Sequence, residues 1–155
     1  MIRRTLAVLL LSAIFASTTF AGEDPCRRAY LSADAVTELH QCHVEADAGK
    51  AEAQLGYALI LWSGYDRDSQ PEEALRWFRR AARQGNLLAR VALGRFLTSE
   101  EVPPVLRNKA EGYAWWLVSG QLDSASDLRQ RMSVEEVAEG ERMAKDFLVD
   151  YGPNR

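Results

Sequence analysis

Apolar residues recur with the period of an α-helix along most of the chain. The clearest stretch lies between Pro71 and Gly85, where the apolar positions are i, i+1, i+3, i+4, i+7 and i+8. They are Ala74, Leu75, Trp77, Phe78, Ala81 and Ala82. Such a stripe is typical of a helix that buries one face. Glutamates at its start and arginines at its end complement the helix dipole, and Gly85 stops it.

Similar periodicity predicts further helices on both sides of this one. The predicted helices cover residues 25–30, 34–48, 51–62, 71–84, 89–97, 109–119, 124–131 and 134–147. Two start signals support the boundaries, because Ser69 with Glu72 and Ser133 with Glu136 have the spacing of a capping box. The pattern predicts a chain that is nearly all helical.

Two segments of the chain repeat each other. Gly49 and Gly85 stand 36 positions apart, and each is followed at the fifth position by a polar residue, Gln54 or Arg90. A later block repeats as well, since Glu-Ala-Leu-Arg-Trp-Phe at 73–78 is answered by Glu-Gly-Tyr-Ala-Trp-Trp at 111–116. Periods of this size mark stacked helix pairs, whose curved surfaces usually bind partners. We therefore predict an all-α fold, a short α-solenoid of stacked antiparallel helix pairs with a C-terminal capping helix.

The repeated residues resemble the Sel-one-like repeat, a relative of the tetratricopeptide repeat. The first repeat matches the family pattern through Gly49, Ala53-Gln54, Gly64, Glu73-Ala74, Trp77-Phe78, Ala81-Ala82 and Gly85. The second repeat is degenerate, because Glu100 and Val102 replace loop glycines and Ser119-Gly120 replace the paired alanines. The resemblance covers about residues 34–147. It implies a right-handed stack of helix pairs that holds partner proteins, often in cell-envelope assembly, signalling or defence, and it implies no chemistry.

The start of the chain has the three parts of a secretory signal peptide. Arg3-Arg4 supply positive charge, residues 6–15 are apolar, and Thr19-Phe20-Ala21 form a cleavage site. The apolar run is shorter than the roughly 20 residues of a spanning helix. We predict that residues 1–21 are removed and that the mature chain, 22–155, is secreted through the inner membrane into the periplasm. The mature chain is predicted to be a single domain with a helix pair at 22–48, a repeat at 49–84, a degenerate repeat at 85–120 and capping helices at 121–155.

Charge is spread unevenly along the sequence. The whole chain has a formal net charge of -3, to which the predicted signal peptide contributes +2. In the mature chain, residues 22–65 carry -4, residues 66–95 carry +3 and residues 96–155 carry -4. Six arginines of this central segment form what we call the basic belt: Arg76, Arg79, Arg80, Arg83, Arg90 and Arg95. The belt is either a solvated helix face or a surface that steers an acidic partner. The negative total argues against nucleic acid. We expect a protein partner, no membrane insertion after signal cleavage, and a monomer.

Cys26 and Cys42 are the only cysteines, and an even count in a secreted protein favours a disulfide. The spacing suits a bridge across a helix pair, and the alternative is two reduced, separately buried thiols. His40, Cys42 and His43 also invite comparison with a metal site. The histidines flank the buried stripe that holds Cys42 and a fourth ligand is missing, so we expect no metal.

The sequence lacks the motifs that carry catalysis. It has no Gly-x-Ser-x-Gly elbow, Ser-x-x-Lys, His-Glu-x-x-His or phosphate-binding glycine loop, and its two histidines share one helix. We expect no enzymatic activity and no cofactor. A β-lactam-binding or hydrolysing enzyme is the alternative of another class, but the cysteine-rich relatives that suggest it carry a cysteine pair in each repeat. Residues 55–155 contain no cysteine.

The expected function is a protein-interaction module of the cell envelope, an adaptor or scaffold. A periplasmic immunity or inhibitor protein that neutralises a toxin is the closest alternative. We predict that binding uses the first helix of each repeat and the basic belt, through Gln54, Trp62, Arg90 and Arg95. Arginine and tryptophan dominate interface energies. These four side chains are also the ones whose identity is least explained by packing in the predicted helices.

Overall fold

A computed structural model describes residues 25–31, 35–64 and 69–151, and within these ranges the chain is helical without a β-strand. The helices are α1 Pro25–Leu31, α2 Ala35–Asp47, α3 Ala51–Ser63, α4 Pro71–Arg83, α5 Leu87–Thr98, α6 Lys109–Val118, α7 Leu122–Arg129 and α8 Val134–Tyr151, with a 3-10 turn at Pro104–Leu106. The all-α prediction is confirmed. The predicted signal peptide, 1–21, lies outside the described residues. None of the described helices is long and apolar enough to cross a membrane.

The chain divides into two compact units, Met1–Ala81 and Ala82–Arg155, and the boundary falls near the end of α4. The helix bounds follow the predicted ones closely at most positions. α7 begins at Leu122, ahead of the predicted start, and α8 continues to Tyr151. The extension of α8 follows from its sequence, because no glycine or proline interrupts residues 141–151. The predicted single domain and its repeat bounds remain predictions.

The first unit is built around a disulfide. Cys26 of α1 and Cys42 of α2 are bonded, with their Cα atoms 4.7 Å apart, and both are fully buried. α3 packs closely on this bridge, because a Cβ atom added at Gly56 would lie 2.6 Å from the Cβ of Cys26. The predicted disulfide is confirmed. α3 itself is buried at every residue from Ala53 to Leu61.

The second unit depends on close approaches between helices at glycines. A Cβ atom at Gly94 of α5 would lie 2.5 Å from the indole of Trp116 on α6. A Cβ atom at Gly140 of α8 would lie 2.8 Å from the ring of Tyr113, also on α6. Hydrogen at these positions therefore lets α5 and α8 pack against α6. α7 completes the core by placing Ala125 and Leu128 against Tyr113.

Side chains cap several of the helices. Asn86 and Asn108 precede α5 and α6, and their side-chain oxygens accept hydrogen bonds from backbone amides at 2.8 and 2.9 Å. The capping box predicted at Ser133 and Glu136 is confirmed: the Ser133 amide donates to the Glu136 carboxylate at 2.9 Å, and the Glu136 amide donates to the Ser133 hydroxyl at 3.2 Å. The Ser69 hydroxyl donates to the carbonyl of Trp62 at 2.7 Å. The capping box predicted there remains a prediction.

The buried disulfide should contribute to stability. Replacing both Cys26 and Cys42 with alanine removes the cross-link without leaving a free thiol. We expect the free energy of unfolding to fall by about 3 kcal/mol, because a cross-link over roughly 15 residues reduces the entropy of the unfolded chain by that amount. Urea denaturation of the oxidised wild type and of the double variant, followed by circular dichroism, measures the difference. An unchanged midpoint would contradict a stabilising role.

Candidate partner-binding surface

The repeated tryptophans are structural. Trp77 and Trp115 occupy equivalent positions and are buried, with exposed fractions of 5% and 1%. Each indole Nε1–H donates to the carboxylate of the glutamate four residues earlier, Glu73 or Glu111, and both distances are 3.4 Å. A buried indole usually finds an acceptor for its N–H group. The acid and the aromatic therefore recur together because each pair satisfies one buried donor.

Gln54 and Arg90 are equivalent in the same way. The Nε2 of Gln54 donates to the carbonyl of Ala46, and the Nε of Arg90 donates to the carbonyl of Ala82, both at 3.1 Å. Each acceptor lies near the end of the preceding helix, eight residues back. Such carbonyls lack a partner inside their own helix. The first helix of each repeat thus holds the end of the helix before it.

Packing therefore explains Gln54 and Arg90, contrary to expectation. Their exposed fractions are 4% and 7%. A partner that binds the folded chain reaches little of either side chain. Their part in binding remains a prediction, and any such part would act through the helices that they hold.

Arg90 makes a second contact at the end of the chain's described part. Its guanidinium also donates to the carbonyl of Tyr151, the last residue of α8. The carboxyl-terminal ends of α4 and α8 thus both direct a carbonyl oxygen at the Arg90 guanidinium. The carboxyl-terminal end of a helix dipole is the end that favours a positive charge. Burial lowers the pKa of Arg90 from its ordinary value. Arg90 therefore links the ends of α4 and α8 inside the second unit.

Trp62 and Arg95 are the accessible members of the predicted set. Trp62 is half-buried and meets Phe78 edge to face, with ring centroids 6.1 Å apart. Arg95 lies in the last turn of α5 and is exposed, and its guanidinium pairs with no carboxylate in the described part of the chain. α3 is buried over 53–61, so it offers a partner little more than its two ends.

The basic belt is split by burial. Arg90 is internal and Arg79 half-buried, whereas Arg76, Arg80 and Arg83 are exposed. Within the first unit the Arg80 guanidinium lies over the ring of Trp77, 4.5 Å from its centroid. Within the second unit the Arg83 guanidinium lies 6.0 Å from the ring centroid of Tyr151. Aromatic rings thus hold two of the exposed cations.

The histidines near Cys42 take other partners. Cys42 bonds Cys26, which removes it as a metal ligand. The ring of His43 stacks on that of Tyr57 with centroids 4.8 Å apart, and its Nε2 lies 3.3 Å from a carboxylate oxygen of Asp47. His40 is exposed. The described residues contain no cluster of three side chains that could hold a metal ion.

Comparison with protein-family models and with curated proteins gives no match. Among solved structures, the chain resembles the crystal structure of a protective antigen present in uropathogenic Escherichia coli strains, which displays an SLR fold. The TM-score is 0.69 over 97% of this chain, and the sequences are 18% identical. This chain has the Sel-one-like repeat fold. It spans 31% of the length of that protein. The α-solenoid class predicted from the repeats is therefore confirmed.

Sequence reasoning missed how the two repeats of this chain use their polar positions. A signal was present, because Gln54 and Arg90 stand inside apolar helices at the same distance after a glycine. A polar residue that recurs in a buried stretch indicates an internal hydrogen bond. Their shared position therefore pointed to structure rather than to a partner.

The link that Arg90 makes between α4 and α8 can be tested by replacing it with glutamine, the residue at the equivalent position, Gln54, of the first repeat. In Arg90→Gln we expect the bond to the Ala82 carbonyl to persist and the bond to Tyr151 to be lost, because glutamine is too short for both. The free energy of unfolding should fall by about 1–3 kcal/mol. Hydrogen exchange should become faster in the last turn of α8. Arg95→Gln, an exposed change on the same helix, is the matched control. Equal hydrogen exchange of α8 in both variants would disprove the link between Arg90 and the end of α8.

Proposed function

We propose that this protein is a non-enzymatic protein-interaction module of the cell envelope, an adaptor or scaffold. The observation that carries the proposal is the Sel-one-like repeat fold, since stacked helix pairs expose surfaces that bind other proteins. The internal chemistry agrees with a binding role. Glu73 and Glu111 serve buried indoles, Gln54 and Arg90 serve helix ends, and the cysteines are cross-linked.

The proposed location is the periplasm. A disulfide between Cys26 and Cys42 suits an oxidising compartment. The signal peptide predicted at 1–21 supplies the route. In that compartment we propose that the mature chain is a monomer and binds another protein.

The proposed contacts are one exposed cation of the second unit and one accessible aromatic side chain of the first unit. Arg95 on α5 and Trp62 at the end of α3 are the members of the predicted set that a partner can reach. Exposed arginines and tryptophans are each favoured contact groups in interfaces. A chain of negative net charge that concentrates positive charge locally suits an acidic partner surface.

The function is tested by capture with a charge-reversal pair. Arg95→Glu should weaken capture of the partner from envelope extract, and more strongly at low salt, because screening by salt weakens charge steering. Lys145→Glu makes the same change in net charge at an exposed position of α8 and should leave capture intact. Circular dichroism checks that both variants keep their helices.

Two outcomes would count against the proposal. Equal capture by both variants would place the contact away from Arg95. Turnover of a small substrate by the purified protein, such as hydrolysis of a β-lactam, would replace the non-enzymatic function. The toxin-neutralising alternative is decided by the identity of the captured protein.

A further inference from the structure

We infer that Arg80, held against the face of Trp77, forms with Arg76 a carboxylate-recognition site on α4 that takes an acidic segment of a partner protein. The site rests on the proposed interaction function and specifies the chemistry of the partner. It uses residues that the sequence pattern placed only in a general basic belt.

Trp77 is a fixed platform for the Arg80 guanidinium. Its indole is buried, bonded to Glu73 at 3.4 Å, and met edge-on by the rings of Tyr57 and His43 at 5.5 and 5.9 Å. The Arg80 guanidinium lies 4.5 Å from the ring centroid. A guanidinium stacked on an aromatic face keeps its N–H groups available at its edge, and its planar fork matches a carboxylate. The stacking also orders the side chain before a ligand arrives, which lowers the entropic cost of binding.

Two cations elsewhere in the first unit are paired with carboxylates. Arg28 pairs with Glu38 at 2.8 Å, and Lys50 pairs with Glu45 at 3.2 Å. Arg76 and Arg80 are exposed and make no ion pair with any carboxylate in the described residues. Glu73, three residues before Arg76, has an oxygen engaged by the Trp77 indole. The charge on this part of α4 is therefore free to bind an external carboxylate.

The spacing of the two arginines sets the size of the ligand. Residues four apart lie on one helix face with Cβ atoms about 6 Å apart, so Arg76 and Arg80 present adjacent forks. Two forks suit the side chains of a short peptide segment with neighbouring aspartates or glutamates. Long polyanions gain affinity from an extended track of cations. This chain has a net charge of -3, which favours a short acidic protein segment over such a polymer.

The probe is a synthetic peptide, Glu-Asp-Leu-Glu-Asp-Leu, and its control carries glutamine and asparagine in place of the acids. The mature protein purified from the envelope is titrated with each peptide while the Nε–H signal of Arg80 is followed by NMR. We expect a saturable shift with the acidic peptide only. Arg80→Lys keeps the charge but loses the planar fork, and its affinity should be about tenfold lower. Arg129→Lys, at an exposed arginine in the last turn of α7, is the matched control on another helix and should bind as the wild type does.

Several results would overturn the site. They are equal affinity in Arg80→Lys and wild type, an equal shift with the amide peptide, or tighter binding of polygalacturonate than of the acidic peptide. The two proposals fail in different ways. If the peptide does not bind while partner capture from envelope extract persists, the carboxylate site is wrong and the interaction function stands. If the peptide binds but no partner is captured, the interaction function is the one that fails.

Discussion

The hydrogen bond from the first helix of a repeat to the end of the preceding helix is the contact on which each unit depends. The last carbonyls of a helix have no partner within that helix, and burying them unpaired is costly. Gln54 supplies one of two donors to the carbonyl of Ala46 in the first unit, and Arg90 supplies one of two to the carbonyl of Ala82 in the second. The same carbonyls also accept the amide of the glycine that follows, at 3.0 and 3.1 Å. Gly49 and Gly85 adopt positive φ of 91° and 87°, so the chain turns sharply enough to bring the next helix back onto that end.

Once the helix ends are held in this way, the remaining packing follows from side-chain size. Gly56 lets α3 approach the disulfide, and Gly94 lets α5 approach Trp116. Trp115 stacks on Phe147 of α8 with centroids 4.2 Å apart, which joins the closing helix to the second repeat. Arg90 completes this join because it binds the carbonyl of Tyr151. The degenerate second repeat therefore keeps the internal contacts of the first and adds one that holds the capping helix.

Periodicity predicted the helices well because burial of one face is a property of the local sequence. The disulfide followed from parity and from the stripe that holds Cys42, and the capping box at Ser133 followed from spacing alone. The candidate site was harder, because a sequence does not show which polar side chains point inward. Gln54 and Arg90 looked free for a partner, yet they are buried by contacts to backbone carbonyls that no pattern of side chains reveals. The stacking of the Arg80 guanidinium on the Trp77 ring could not be predicted from the sequence, because it depends on the position of both side chains in the fold.

The comparison of the two repeats separates structure from recognition. Positions that keep their chemistry, such as Glu73 and Trp77 with Glu111 and Trp115, are internal pairs. Other positions differ in exposure as well as in chemistry, since Arg76 is exposed whereas its equivalent, Ala114, is fully buried. Arg76 and Arg80 correspond to Ala114 and Val118, 38 positions on, so the second repeat has no cation at either place. The fold does not require these arginines, because the equivalent helix forms without them. In the first repeat both side chains are exposed, and the carboxylate site that we propose on α4 would give their charge a function.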